Sequence, residues 1–239
     1  MNIALLGYGK MGKTIEQLAL DKGHQIALRV DDKQSFDLSA VDVAIDFSTP
    51  EAAVSNISQC LKNNTPVVSG TTGWLDRYEE MVNLCHQQQG AFLYASNFSV
   101  GVNLFFALNE KLAQLMKGQQ QYRPSMEEIH HTQKLDAPSG TAITLAEGII
   151  KEHIRKAWVN LTPEQDITKT DQDQLPIVSK RLGDVPGTHT ISFQSDIDEI
   201  TITHKAHSRA GFAAGALQAA EWLVGKQGVY SMQDVLNLS

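Results

Sequence analysis

Near the start of this 239-residue chain, the apolar run Asn2–Leu6 leads straight into Gly7-Tyr8-Gly9-Lys10-Met11-Gly12, a G-x-G-x-x-G turn. Alone the pattern is weak, because glycines punctuate many turns. Placed between an apolar strand and an amphipathic stretch, it restricts the fold to a dinucleotide-binding β-turn-α unit. Gly7 permits the tight turn, Gly9 lets backbone approach a pyrophosphate, and Gly12 lets the helix pack on the strand. The helix start then offers free N–H groups to phosphate. An acid is required at the end of the second strand for the adenosine ribose, and Asp31 stands there. Asp32 follows, where a cation would be wanted for a 2′-phosphate. The expected cofactor is therefore NADH, with Lys33 close enough to leave NADPH usable.

The first hundred residues alternate short apolar runs (2–6, 25–30, 41–47, 66–69, 91–94) with helical patterns (13–22, 51–63, 75–89). Such alternation predicts an α/β fold with a Rossmann-type parallel sheet. Ligands bind such sheets beyond the carboxyl ends of the strands. This adds Gly70, Thr71 and Thr72 after the fourth strand, and Ala95, Ser96, Asn97 and Phe98 after the fifth, to the cofactor contacts. Near residue 98 the rhythm changes. A helix at 102–116, a strand at 125–131 and a long helix at 140–156 are expected. A polar, exposed loop at 160–174 precedes strands at 177–182, 188–194 and 199–205, and a helix at 213–225 is followed by a tail. The organisation expected is a dinucleotide-binding domain, 1–98, completed by the return segment 210–239. An α+β domain with a mixed, open-faced sheet, 99–209, holds the substrate.

Reactive side chains are densest from Glu128 to Thr141, where a strand runs into a helix amino terminus. His130 and His131 point to opposite faces of that strand. Histidine delivers protons near neutral pH, and Lys134 supplies a point charge for carboxylate. Ser139, Gly140 and Thr141 present a hydroxyl and backbone N–H groups at a helix start, a ready anion site. Ser139 is also expected to cap that helix. No metal is expected at the histidine pair, since no third ligand stands at a typical spacing. In the later strand, His204, Lys205 and His207 read as an exposed polar face, whereas Arg209 sits where a ligand cleft would close.

The net charge of −7 argues against non-specific nucleic-acid binding, so an anionic ligand must be met by a few placed cations and amides. Apolar runs are too short to cross a membrane, and the amino terminus lacks a basic, cleavable leader. The two cysteines, Cys60 and Cys85, fit a reduced, cytoplasmic protein.

Glu128 to Thr141 resembles the signature E-x-H-H-x-x-K-x-D-A-P-S-G-T of the dihydrodipicolinate reductase family. Gly70-Thr71-Thr72-Gly73, the run from Asn97 to Asn103 and Ile202-Thr203-His204-Lys205-Ala206 match as well, so the likeness covers nearly the whole chain. The resemblance implies NAD(P)H-dependent reduction of a cyclic dicarboxylate imine on the lysine and diaminopimelate pathway, by a homotetramer assembled through the second domain. It makes His130 the proton donor and Lys134 its substrate-polarising partner, with His131, Gly140 and Thr141 as carboxylate contacts. The chain departs from many members in a shorter glycine turn, in Asp32 where a basic residue is common, and in His207 where a small residue is usual.

Two rivals differ in class. A semialdehyde dehydrogenase needs a nucleophilic cysteine in its cleft, and a nicotinamide-sensing regulator binds cofactor without turnover.

Overall fold

The structure, a computed structural model, describes residues 1–31, 35–208 and 210–238. It divides into two compact units, Met1–Asn103 with Ala210–Ser239, and Leu104–Arg209.

In the first unit the elements are β1 (Asn2–Leu6), α1 (Lys10–Asp21), β2 (Gln25–Val30), β3 (Val43–Asp46), α2 (Pro50–Lys62), β4 (Val67–Ser69), α3 (Tyr78–Gln87) and β5 (Ala91–Tyr94). The six-stranded sheet is parallel throughout the first five strands, and β1 pairs with both β2 and β3. The chain thus reverses its direction of travel across the sheet between β1 and β3, which makes a crevice at their carboxyl ends. Strands β1, β3 and β4 are almost wholly apolar because helices cover both faces. The N-cap residue Gly9 puts Lys10, Met11 and Gly12 inside α1, three residues earlier than the pattern 13–22 suggests.

The second unit continues with α4 (Val100–Met116), which begins in the first, then β6 (Arg123–His130), α5 (Gly140–Lys151), β7 (Ala157–Leu161), β8 (Gln174–Arg181), β9 (Thr188–Gln194) and β10 (Glu199–Lys205). Its five-stranded sheet has the order β10-β9-β6-β8-β7 and is mixed, β6 being parallel to β8 and antiparallel to β9. Buried residues of α4 and α5 join Met126, Ile177, Ile191 and Phe193 in one core.

Several sequence expectations need correction here. The helix expected over 140–156 stops at Lys151, and Ala157–Leu161 is a strand. Asn160 and Leu161, at the start of the expected loop 160–174, are therefore sheet, in a half-exposed edge strand of five residues that is too short to show a period. The strand expected from 177 begins at Gln174, and Pro176 lies inside it opposite Val159. The carboxyl-terminal part is more than a helix and a tail. After α6 (Ala210–Leu223), β11 (Gly228–Tyr230) adds a sixth parallel strand beside β5, and α7 (Met232–Val235) is closed by a Ser231–Asp234 capping box. The small residues of α6 permit close approach: a Cβ on Gly215 would fall 1.7 Å from Phe98 O.

Candidate active site

Gly7 turns the chain at φ +90°, and its N–H donates to Val30 O at 2.8 Å. A Cβ there would lie 2.1 Å from Phe47 O, and one on Gly12 would lie 2.4 Å from Gly7 O. At Gly9 a Cβ would meet nothing within 4 Å. No side chain caps α1, and its first turn carries no acid. Open space against uncapped N–H groups is what a pyrophosphate needs, so this turn fits a dinucleotide. Around it, Lys10 is exposed and Met11 leans on the core. Tyr8 donates to Glu16, which also accepts from Arg29 at 3.1 Å, while Lys13 and Arg29 flank the Tyr8 ring. Asp31 is exposed just past β2, beside a cavity of about 590 Å³ lined also by Arg29, Ser35, Phe36 and Asp37. Asp32 and Lys33, on which the choice of dinucleotide turns, lie outside the described residues.

Asp46 closes β3 and is fully buried, a residue the sequence reading passes over. Its Oδ1 accepts from Ser48 Oγ at 2.7 Å and Asn56 Nδ2 at 3.0 Å. Its Oδ2 accepts from Ser69 Oγ at 2.9 Å and Thr71 Oγ1 at 2.8 Å, while Thr71 Oγ1 accepts from the Ser48 amide at 2.9 Å. Burial pushes the carboxyl above its ordinary range, against the pull of these four donors. One side chain thus ties the loop after β3 to the loop after β4, and so holds Gly70, Thr71 and Thr72 in place. A Cβ on Gly70 would strike the Phe47 ring at 2.3 Å. The available signal was an acid ending an apolar strand. Of the third loop, Ser96 is exposed, Ala95 and Asn97 are half-buried, and Phe98 is core, with its ring 5.7 Å from that of Phe47.

In the second unit the burial of β6 alternates, and Glu128 and His130 share its inner face. Glu128 is fully buried. Its Oε1 accepts from Arg181 at 3.0 Å, and its Oε2 accepts from the Ser139 amide at 3.1 Å. Oε2 also lies 3.1 Å from His130 Nδ1, without the alignment of a hydrogen bond. Burial alone would raise this carboxyl, but contacts from His130, Ser139, Ser179 and Arg181 outweigh it and hold Glu128 well below the usual carboxylate range. The sheet register sets Glu128 opposite His189 on β9 and His130 opposite Arg181 on β8. The His130 and His189 rings meet edge to face at 5.1 Å. Burial and the neighbouring His130 lower His189 to about 4, so it is neutral at pH 7. A Cβ on Gly187 would lie 3.1 Å from His130 Nε2, so a side chain there would crowd that nitrogen.

Beyond His130 the turn carries the other expected residues. His131 is half-buried, and its carbonyl accepts from the Lys134 amide at 3.1 Å. Lys134 Nζ donates to both Asp136 oxygens at 2.7 Å, and Lys134 holds Asp136 below its ordinary range. Besides Glu128, Arg181 reaches this turn, donating to Lys134 O at 3.4 Å and to Asp136 O at 2.6 Å, which pins the turn to β8. Ser139 is buried and caps α5 by accepting from the Ala142 amide at 3.2 Å; its Oγ is also 3.1 Å from His189 Nε2. Its hydroxyl is therefore spent inside the protein, and the groups left for an anion are the Gly140 and Thr141 amides. Gly140 is exposed, Thr141 is half-buried, and no acid stands in this turn. Arg209 lies outside the described residues.

Glu128, Arg181 and His189 are the members of this cluster that sequence reasoning missed. Their one signal was charge inside strands otherwise apolar or threonine-rich. Together with His130, Glu128 and His189 also form a group of metal-ligating side chains. Neither cysteine can serve as a nucleophile: both are buried, and burial raises both thiols. Among the described residues, no helix is long and apolar enough to cross a membrane.

The N-terminal and C-terminal models of dihydrodipicolinate reductase match residues 1–98 and 101–236. The 4-hydroxy-tetrahydrodipicolinate reductase of Christiangramia forsetii is 52% identical over 241 residues, covering 99% of this chain and 98% of the relative. That of Neisseria meningitidis serogroup C is 37% identical over 231 residues, covering 94% and 84%. Among solved structures, a dihydrodipicolinate reductase from Paenisporosarcina sp. TG-14 with dipicolinate bound superposes with a TM-score of 0.75 at 23% identity, covering 98% of each chain. An amine dehydrogenase from Mycobacterium smegmatis shares the fold at a TM-score of 0.60 and 9% identity, covering 97% and 95%. A glycine turn open to phosphate at an uncapped helix start, a buried carboxylate–histidine cluster beside the start of α5, and family matches across both units agree: the chain belongs to the dihydrodipicolinate reductase family and is an oxidoreductase enzyme of the nicotinamide-dependent kind.

Proposed function

We propose that this enzyme reduces 4-hydroxy-tetrahydrodipicolinate to tetrahydrodipicolinate for lysine and diaminopimelate synthesis, with His130 delivering the proton. The observation that carries the reading is the grouping, within one strand end and one turn, of His130, Lys134 and the Gly140–Thr141 amides. Proton donor, cation and anion-binding helix start are what a reducible dicarboxylate requires. The relatives named for this reaction support it, as does the structural neighbour that holds dipicolinate.

The Gly7–Gly12 turn, Asp31 and the loops at 70–72 and 95–98 would hold the dinucleotide. When bound, the nicotinamide supplies hydride. The Gly140 and Thr141 amides take one substrate carboxylate, and His131 flanks it. Lys134 exchanges its partner Asp136, the more exposed of the two, for substrate and offsets charge on the ring. Departure of the 4-hydroxyl as water leaves the conjugated imine that takes the hydride. His130 then gives its proton to the reduced ring, and the buried Glu128 carboxylate beside Nδ1 compensates the imidazolium charge before transfer. The preferred cofactor is NADH, with NADPH usable, on the charges of Asp31 and Asp32. A cytoplasmic homotetramer, built through the second unit, completes the reading.

Turnover with NADH and freshly synthesised substrate tests it. Cofactor binding with no turnover in metal-free protein would favour a nicotinamide-sensing regulator instead.

A further inference from the structure

We propose that Glu128, His130 and His189 form a binding site for a divalent transition-metal ion of the zinc, cobalt or nickel class, and that occupation of this site switches the enzyme off. Ligating atoms of the three residues lie within 4.8 Å of one another. Glu128 Oε2 is 3.1 Å from His130 Nδ1 and 3.9 Å from His189 Nε2. Ligands on one tetrahedral ion stand roughly 3.3 Å apart, given bond lengths near 2.0–2.1 Å. A small side-chain adjustment closes the set.

A second observation points to a ligand. His130 and His189 are 8% and 4% exposed, and the Nδ1 atoms of both are buried without a hydrogen-bond partner. A buried polar atom left unpaired is costly, and an ion here would give His130 Nδ1 a partner. The donor set of two imidazole nitrogens and one carboxylate oxygen suits borderline metals and not magnesium or calcium. Three protein ligands leave a coordination position for water. The supports that orient a ligand are present too, since Arg181 and the Ser139 amide both donate to the Glu128 carboxylate.

The Arg181 charge opposes a dication, so the site binds reversibly and does not hold the fold together. The inhibitory part rests on the reading above that His130 is the proton donor: an imidazole bound to metal cannot deliver a proton. Of the histidine pair in the sequence only His130 belongs to the set; Glu128 joins it on the same face of β6, and the sheet brings His189 from β9 alongside.

Cobalt(II) added to chelator-treated protein reads the site without turnover, by visible absorption and calorimetry. One equivalent per chain with the strong bands of four- or five-coordinate cobalt is expected. Binding should weaken at least about tenfold in His189→Gln and Glu128→Gln, with circular dichroism checking the fold, and persist in His131→Gln. Should His189→Gln fail to fold, His130→Gln carries the same expectation. A weak octahedral spectrum, or undiminished affinity in these variants, would overturn the site. Activity should fall in step with the cobalt bands, and full activity at saturation would overturn the switch. Turnover of the metal-free protein, measured separately, tests the reductase chemistry alone.

Discussion

Glu128 and His189 face each other across the antiparallel β6–β9 ladder, the carboxylate Oε2 3.9 Å from the imidazole Nε2, both buried. Around this pair the second unit gathers His130, Arg181 and the start of α5. The carboxylate is the common anchor, so its removal should be felt in stability as well as in catalysis.

Glu128→Gln leaves Arg181 without its anionic partner. The loss of one member of a buried ion pair typically costs about 3–5 kcal/mol, and a destabilisation of that order is expected. Denaturant titration checks it. A change below about 0.5 kcal/mol, the scale of an ordinary surface substitution, would show that the cluster does not hold the unit together.

His130→Gln should lower turnover about a hundredfold or more while leaving the NADH dissociation constant nearly unchanged. His130 lies in the second unit, whereas the phosphate-binding turn lies in the first. Turnover close to wild type would remove His130 from the mechanism.

His189 gives stability a pH dependence in chelator-treated protein. Its folded pKa is about 4 against an ordinary 6.5, so the unfolded chain binds more protons between these values. Stability is therefore fully present above pH 6.5 and lost as the pH falls towards 4, by a few kcal/mol at roughly 1.4 kcal/mol per unit. Unfolding free energies at pH 7.5 and pH 5 should differ in that direction, and His189→Gln should flatten the difference. An equal slope in the variant would assign the effect to other groups.

NADH should bind more tightly than NADPH, because Asp31 and Asp32 oppose a 2′-phosphate. Asp32→Arg should raise NADPH affinity specifically. Dissociation constants from fluorescence titration decide the matter, and tighter NADPH binding in the wild type would end the charge argument.

The oligomer is expected to be a tetramer. Exposed hydroxyls on β9 and β10 pair across the ladder, Thr190 with Thr203 at 3.1 Å and Ser192 with Thr201 at 3.0 Å, so this face is already ordered before any partner covers it. Sedimentation at micromolar concentration should give a mass of four chains; a monomer would rule the assembly out.

The α/β alternation, the glycine turn and the reactive run from Glu128 to Thr141 were all determined by the sequence, because each is written in neighbours along the chain. Glycine spacing sets a backbone shape, apolar period sets strand or helix, and the likeness to a family signature needs only contiguous residues. Edge strands β7 and β11 escaped, since an exposed edge relaxes the apolar pattern and short strands carry few residues to read. The network under Asp46 and the grouping of Glu128, Arg181 and His189 belong to tertiary structure alone. Ser139 and His189 are 50 residues apart in the chain yet 3.1 Å apart in space. Burial is what turns such distant polar residues into one unit: with water excluded, each must find its partner inside the protein, and the sheet register decides which partners are within reach.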